Sequence, residues 1–578
     1  MTLAGVRERL ALAAAVLLLA ATAVAVLPGD EGVALPGAEK SKVSFWLTIA
    51  HNNDGESQLI NAGAGSEEYG GVARLASVAK RAEEEALARS RGGFLLVNAG
   101  DNFLAGPEFN ESLQKGVPFY DSIALNRIGF DAMGIGNHEF DFGPDVFAQF
   151  IKGFDPDVPF VSANLNVKGE PKLARLADQG RIVKRVVVEE QGRSIGVVGA
   201  TTPLLPAISS PRDVTVSNVA KSVQKQIDKL TASGVDIIVT VSQLQSIEED
   251  IALAPKLTGV DIMVSGGGNE LLADPDEGDL LIPGDEEALY GSYPLWTEGA
   301  DGRDIPVVTT SGDYRYLGQL VAGFNDRGRL VKIDDDDSGP LRVSSLVNPD
   351  GVKPASFIQK NVVEPLEADI ADAAANIVAT TEVDLNGLRE PGVRTEETNE
   401  GNLIADSLLW AATELAPAFG ADPPDIALQN GGGIRNNSVI PAGDISELDV
   451  FGMVPFANFV SIVPDVSPET LKELLENAVS ALPTADGRFA QIAGFEFTYD
   501  LTGTAQVIDV DTGEITTPGT RIVDVTLDDG TPIIESGAVA AGAPNVDIAT
   551  IDFLARGGDQ YPFGDAPFVT LGTTYFQA

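Results

Sequence analysis

Five short segments gather the side chains able to hold a divalent cation or move a proton. They are His51-Asn52-Asn53-Asp54-Gly55-Glu56, Gly100-Asp101, Gly136-Asn137-His138-Glu139-Phe140-Asp141, Ser242-Gln243 and Gly266-Gly267-Gly268-Asn269-Glu270. Their donors are almost all carboxylate and amide oxygens, hard ligands suited to divalent cations. Two such ions a few ångströms apart activate a water and clamp a phosphoryl group during in-line displacement. His138 is one of only 2 histidines in the chain. Asp141, three residues on, is placed to orient its ring and favour its charged form. A protonated His138 would stabilise charge building on phosphoryl oxygens.

The elements that must position these segments are legible in the hydrophobic pattern. Short apolar runs at Ser44–Ala50, Phe94–Ala99, Ala132–Ile135, Ser194–Gly199, Asp236–Val241 and Asp261–Val264 read as strands, and each of the five segments follows one of them. Amphipathic stretches at Gly71–Arg91 and Val219–Ser233 read as helices between strands. Alternation of this kind predicts a layered α/β domain. In open α/β sheets, ligands gather beyond the carboxyl ends of strands, which is where the polar segments fall. The sequence turns polar and acidic around Gly323 to Val347, a boundary signal, and the Asp334 to Asp337 run reads as a solvated loop. A helical connector is expected over about Pro354 to Ala375, interrupted or kinked at Pro365. A second α/β region follows, with strand-and-turn patterns at Ile426–Leu428, Val460–Val463 and Ile522–Leu527.

That second region carries its own constellation. Arg394 opens a polar stretch leading into a helix over Leu403 to Ala412, and Asn430-Gly431-Gly432-Gly433-Ile434-Arg435 follows the strand at Ile426–Leu428. The glycines let backbone approach a ligand closely, and the arginines offer planar forks for phosphate. Phe456, after Pro455, and Phe553 are candidate platforms for stacking a base. Asp559, in Gly557-Gly558-Asp559, is placed to accept hydrogen bonds from ribose hydroxyls.

Asn137-His138-Glu139 together with Asp101 and Asp54 resembles the signature of calcineurin-like metallophosphoesterases, and Gly-Asn-His-Glu-Phe-Asp resembles the 5′-nucleotidase branch. The C-terminal motifs, with Gly487-Arg488-Phe489-Ala490-Gln491-Ile492-Ala493-Gly494, resemble the 5′-nucleotidase C-terminal domain. The resemblance implies a four-layer αββα metallophosphoesterase domain over 43–345, a linker helix over 346–376 and a smaller α/β substrate-binding domain over 377–578. It implies a dinuclear site bridged by Asp101, with Asn137 on one ion and Asp54 on the other, and His138 and Asp141 as the catalytic dyad. It implies that Arg394, Asn430 and Arg435 hold substrate, that Phe456 and Phe553 sandwich the base, and that Asp559 binds the ribose. The departures concern imidazoles. The family reads Asp-x-His where Glu56 stands, places a histidine where Gln243 stands, and ends on Gly-His-x-His where this chain has Gly266-Gly267-Gly268-Asn269. Glu56, Gln243 and Asn269 can ligate through oxygen, Gly267 offers no side chain, and Glu270 is a stand-in for it. An all-oxygen set favours Mg²⁺, Ca²⁺ or Mn²⁺ over Zn²⁺, in two sites or one degenerate pair.

The implied activity is phosphate release from nucleotides, with 2′,3′-cyclic phosphodiesterase or nucleotide-sugar hydrolase action as variants; the alternative is a nucleotide-binding protein with an inactive metal site. The 578 residues require two or more domains. With 39 Lys and Arg against 85 Asp and Glu, the net charge of −46 repels nucleic acid and anionic membranes. The absence of cysteine excludes disulfides, thiolate sites, a cysteine nucleophile and lipoprotein anchoring. Arg7 and Arg9 precede an apolar stretch from Leu10 to Leu27, with small-x-small sites at Ala21-Thr22-Ala23 and Ala23-Val24-Ala25 before Pro28-Gly29. Residues 1–27 therefore read as a secretory signal, with an uncleaved anchor as the alternative, and predict a secreted, periplasmic or cell-surface protein. Oligomeric state is not encoded in any motif.

Overall fold

A computed structural model describes residues 42–578 apart from 64, 457, 510, 511 and 565; the candidate signal at 1–27 lies outside the described residues. The six expected N-terminal strands are present as β1 (Phe45–Asn52), β2 (Gly92–Asn98), β3 (Ala132–Gly134), β4 (Arg193–Thr201), β5 (Ile237–Gln243) and β6 (Ile262–Gly266). They divide between two sheets. One places β1 and β2 side by side and parallel, with β3 beyond β2 and the antiparallel strand Tyr316–Phe324 beside β1. The other runs β4, β5, β6 in parallel order. Leu47, Ile49, Leu95 and Val97 of the first sheet pack against Val197, Val239, Val241 and Val264 of the second. β2 and β5 are buried along their whole length, which explains their near-continuous apolar runs.

Helices close the outer faces. α1 (Val72–Ala88) turns Leu75, Val78, Ala79, Ala82 and Ala86 inward, the spacing of one helical face. α2 (Val219–Ala232) buries Val223, Ile227 and Leu230 on the second sheet, and its N-terminus is capped by the Asn218 side chain accepting from Lys221 N–H. The result is a four-layer αββα arrangement in which every parallel strand ends on the same side.

The connector is helical over nearly the expected span, with its irregularity just before Pro365. The chain is helical from Ser356 through Ala375, with a π-helical turn at Gln359–Val363 leading into α3 (Glu364–Ala375). Pro365 falls in the first turn of α3, where its missing N–H leaves no bond broken, and the wider preceding turn makes room for its ring. Val362, Val363 and Leu366 are buried in the N-terminal core.

Beyond it, α4 (Asn399–Phe419) lays Ile404, Ala405, Leu408 and Ala412 on a five-stranded mixed sheet. Its strands lie in the order Ala490–Ala493, Ile426–Asn430, Val546–Ile551, Phe459–Val466 and Val569–Thr574. α4 starts four residues before the expected Leu403 because Thr398 caps it, accepting from Gly401 N–H. A four-stranded antiparallel sheet that includes Ile522–Leu527 packs alongside.

Candidate active site at the cleft between the two halves

The ends of β1, β2, β3 and β5 converge, and the loops that follow are tied to one another through backbone. Asp54 N–H donates to Gly100 carbonyl and Glu56 N–H to Asp101 carbonyl, both at 3.1 Å. Asp54, Glu56 and Asp101 sit at φ of 48°, 47° and 51°, a region non-glycine residues rarely adopt. Such conformations cost on the order of 1–3 kcal/mol each and persist where the surroundings over-determine them. Buried Glu139 supplies much of that constraint. It accepts from Asp101 N–H (3.1 Å), Asn102 N–H (2.8 Å) and Gly136 N–H (2.6 Å), locking two strand ends together. Its role was not anticipated, although it lies inside the Asn137-His138-Glu139 motif.

His138 stands in the 3₁₀ turn after β3. Its Nδ1 donates to Asp141 Oδ2 at 2.6 Å, and Asp141 Oδ1 in turn accepts from Ser209 Oγ at 2.8 Å. Burial disfavours charge on the ring, but the carboxylates of Asp141 and Asp101 outweigh it and hold the imidazole pKa up at about 10. The charged form of the ring is thus favoured, and His138 lines the cleft.

The candidate metal ligands are placed as follows. Asp54, Glu56, Asp101, Asn137 and Asn269 line a cleft of about 830 Å³, whereas Gln243 is fully buried and lines neither this cleft nor its neighbour. Asp313, not anticipated, joins the lining. Burial and then the Glu56 charge push Asp54 up to about 7. Glu270 does not fill the gap at Gly267: its carboxylate accepts from Ile247 N–H at 3.3 Å, at the start of a neighbouring helix, and it does not line the cleft.

A pair of divalent ions does not fit this donor set. Gln243 Nε2 donates to Asp54 Oδ1 at 2.5 Å and to Asp101 Oδ2 at 2.6 Å. The oxygens expected to face metal are thus already cross-linked by an amide. Asn137 Oδ1 is likewise taken, accepting from Gln245 Nε2 at 3.0 Å. Among the described residues no three His, Asp or Glu side chains are grouped to hold one ion. The oxygen donors, by type, suit Mg²⁺, Ca²⁺ or Mn²⁺ better than Zn²⁺; as arranged, they bond to N–H groups.

The C-terminal residues are brought to the same place. A cavity of about 370 Å³ is lined by Arg394, Asn430, Arg435, Phe456, Phe553 and Asp559 from one side and by Asn137, His138 and Asp141 from the other. Asn430 Nδ2 donates to Asp559 Oδ2 at 2.5 Å. The guanidinium of Arg435 lies 5.7 Å from the centre of the Phe456 ring. The ring of Phe553 rests on Gly558, where a Cβ would come within 2.5 Å of it. Arg389, which stands outside the motifs, lines the larger cleft with Arg394 and Arg435. None of the three makes an ion pair among the described residues. Burial, then the charges of Arg435 and Arg389, lower Arg394 to about 10. Three unneutralised guanidiniums facing a cleft form an anion site. The signal that would have found Arg389 is its spacing of five from Arg394 across a turn.

A two-domain architecture with a His–Asp pair, its imidazole half-buried and its carboxylate buried, facing an arginine-lined clamp defines a class of phosphoester hydrolases. The comparisons agree. Residues 377–565 match the family described as 5′-nucleotidase, C-terminal domain. The crystal structure of a 5′-nucleotidase precursor from Thermus thermophilus is 30% identical with a TM-score of 0.69, covering 92% of this chain and 95% of that one. A snake venom 5′-nucleotidase of Naja atra is 26% identical over 533 residues, 90% of this chain and 91% of the relative. The 5′-nucleotidase of Rattus norvegicus is 28% identical over 476 residues, 79% of this chain and 76% of the relative. The chain belongs to the 5′-nucleotidase family, hydrolases that act on phosphoesters.

Proposed function

We propose that the chain is an exported nucleotide phosphohydrolase whose C-terminal unit, 377–578, presents the phosphate of a bound nucleotide to the N-terminal unit, 43–345, with 346–376 joining them. The observation that carries this reading is the shared cavity: the arginines and phenylalanines of one half and His138 and Asp141 of the other line the same space. In this reading the base stacks between Phe456 and Phe553, and the ribose hydroxyls bond to Asp559, which Asn430 orients. Arg389, Arg394 and Arg435 neutralise the phosphate. The His138 imidazolium, held by Asp141, donates a hydrogen bond to the phosphoryl oxygens as charge builds on them. No step is routed through a metal pair, because the carboxylates that would hold it are bonded to amides. Export rests on the signal-like pattern at 1–27.

The test is phosphate release from AMP by the purified chain, first after chelation and then with Mg²⁺, Ca²⁺, Mn²⁺ or Zn²⁺ added singly. Release that is lost in Arg435→Ala supports the reading. No release under any of these conditions refutes it; AMP binding without release would make the chain the nucleotide-binding protein of the alternative.

A further inference from the structure

We propose that the carboxylate centre of this chain is closed by amide donors in place of metal ions, with the Gln243 carboxamide as the cross-link, and that nucleotide binding in the cleft is consequently independent of divalent cations. The first half of the proposal stands on the centre's own geometry; the second rests on the nucleotide reading above.

Two carboxylates facing each other in a buried site must have their oxygens satisfied and their charges offset. Here all four oxygens are satisfied by N–H groups. Asp54 Oδ1 accepts from Gln243 Nε2 at 2.5 Å, Asp54 Oδ2 from Asn53 Nδ2 at 2.6 Å, and Gly267 N–H lies 3.0 Å from each. Asp101 Oδ2 accepts from Gln243 Nε2 at 2.6 Å and Asp101 Oδ1 from His138 N–H at 2.8 Å. A carboxamide nitrogen carries two protons, so Gln243 can serve both acids at once. The amide is set with Nε2 toward both acids; turned over, it would set Oε1 against every ionised carboxylate it faces. Its oxygen has no hydrogen-bond partner, and a side chain that leaves a buried acceptor unsatisfied, at a cost of about 1–3 kcal/mol, is held by what its other end does.

Gly267 supplies the independent observation. Its φ is +93°, and a Cβ built there would lie 1.4 Å from the Leu244 carbonyl oxygen. No side chain, histidine included, fits at this position on this backbone. The loop instead turns its bare N–H onto Asp54. The residue that could have brought an imidazole to a metal brings a peptide donor to a carboxylate.

The experiment uses Mn²⁺ alone as the probe. Equilibrium dialysis of the purified chain against Mn²⁺ is compared with the Asp54→Asn/Asp101→Asn double variant, which corrects for diffuse binding to the −46 surface. Equal Mn²⁺ uptake by both is expected; one or two additional ions on the unaltered chain overturn the proposal. In thermal unfolding, Mn²⁺ should leave the Tm of the unaltered chain in step with that of the double variant. Gln243→Glu, which replaces the shared donor by a third carboxylate, should lower the Tm and regain it when Mn²⁺ is added. A Mn²⁺-dependent rise in the unaltered chain as large as in Gln243→Glu overturns the proposal. Should the variants not fold, calorimetry of AMP binding to the unaltered chain decides it. Affinity in EDTA and in Mn²⁺ equal to within a factor of about two supports the proposal, and binding only in Mn²⁺ overturns it. Binding in neither condition would instead refute the nucleotide reading, and Mn²⁺ uptake by the unaltered chain, none or two firmly held ions, would then decide the first half.

Discussion

Removing the Phe553 ring separates recognition of the base from recognition of the phosphate. One face of the ring rests on Gly558, so only the other is open to the cavity it shares with Phe456. Phe553→Ala therefore deletes a single stacking contact, worth on the order of 1–3 kcal/mol per base, which is a loss of roughly 5- to 150-fold in AMP affinity. Ribose 5-phosphate, which keeps the phosphate and lacks the base, should bind the variant within about twofold of the unaltered chain, because its contacts lie at the arginines and Asp559. Gly558→Ala provides the complement. The added Cβ would lie 2.5 Å from the ring, so the ring must move into the space the base needs, and AMP affinity should fall without loss of the aromatic group. Isothermal titration of both ligands against both variants is the assay. Equal losses for AMP and ribose 5-phosphate, or no loss for AMP, would refute the stacking argument.

Three further outcomes are expected. His138→Ala should lower phosphate release from AMP by about 10²- to 10⁴-fold with AMP affinity nearly unchanged, since its partner Asp141 and the arginines remain; comparison of kcat with equilibrium binding checks this, and equal loss of both would make His138 structural. Gly267→Ala should lower stability by on the order of 2–4 kcal/mol in urea unfolding, because it combines a disfavoured φ with displacement of the Leu244 carbonyl; a change within experimental error would show that the loop runs differently. Asp250, wholly buried, accepts from Ser242 Oγ at 2.5 Å and Ser265 Oγ at 2.6 Å, and burial pushes its carboxyl from 3.8 up to about 7. An acid whose folded pKa is raised stabilises fully below its unfolded pKa and loses that contribution as pH rises through the folded one. Asp250→Asn keeps both serine partners, so relative to the unaltered chain it should gain on the order of 1–3 kcal/mol between pH 4 and pH 8; a parallel pH dependence for the two proteins would refute this.

Much of the fold was legible because its signals are local. Parallel strands buried on both faces appear as unbroken apolar runs, and Phe94–Ala99 and Asp236–Val241 were found for that reason. The division of six strands between two stacked sheets was not readable from the runs themselves, since face-to-face packing leaves no local mark. The start of α4 was missed because the side chain that sets it, Thr398, lies in a polar stretch with no periodicity. The kink expected at Pro365 was displaced into a π turn whose residues, Gln359–Val363, carry no breaker of their own. In the site, most side chains named from motifs touch the cleft, whereas Glu139 acts from behind it and Gln245, Asp313 and Arg389 line it from outside those motifs. What could not be read at all was the direction of Gln243. As an isolated letter it is an oxygen ligand; only the distance to two carboxylates makes it a donor.

The donors around Asp54 and Asp101 depend on one another. Without these donors two buried carboxyl groups would face each other with unsatisfied oxygens, a cost added to the one that already pushes Asp54 up to about 7. Each neighbouring residue supplies a donor at the point of need. Gln243 reaches both acids, and a side chain one methylene shorter would reach neither. Glycine at 267 is the one residue compatible with φ +93° and the Leu244 carbonyl while its N–H meets Asp54. Every oxygen of Asp54 and Asp101 is bonded while Arg389, Arg394, Arg435, Phe456 and Phe553 line the cleft. The bonded pair forms a floor beneath that anion-binding cleft, and a floor that opened would move His138, whose backbone N–H is one of the four donors to the pair.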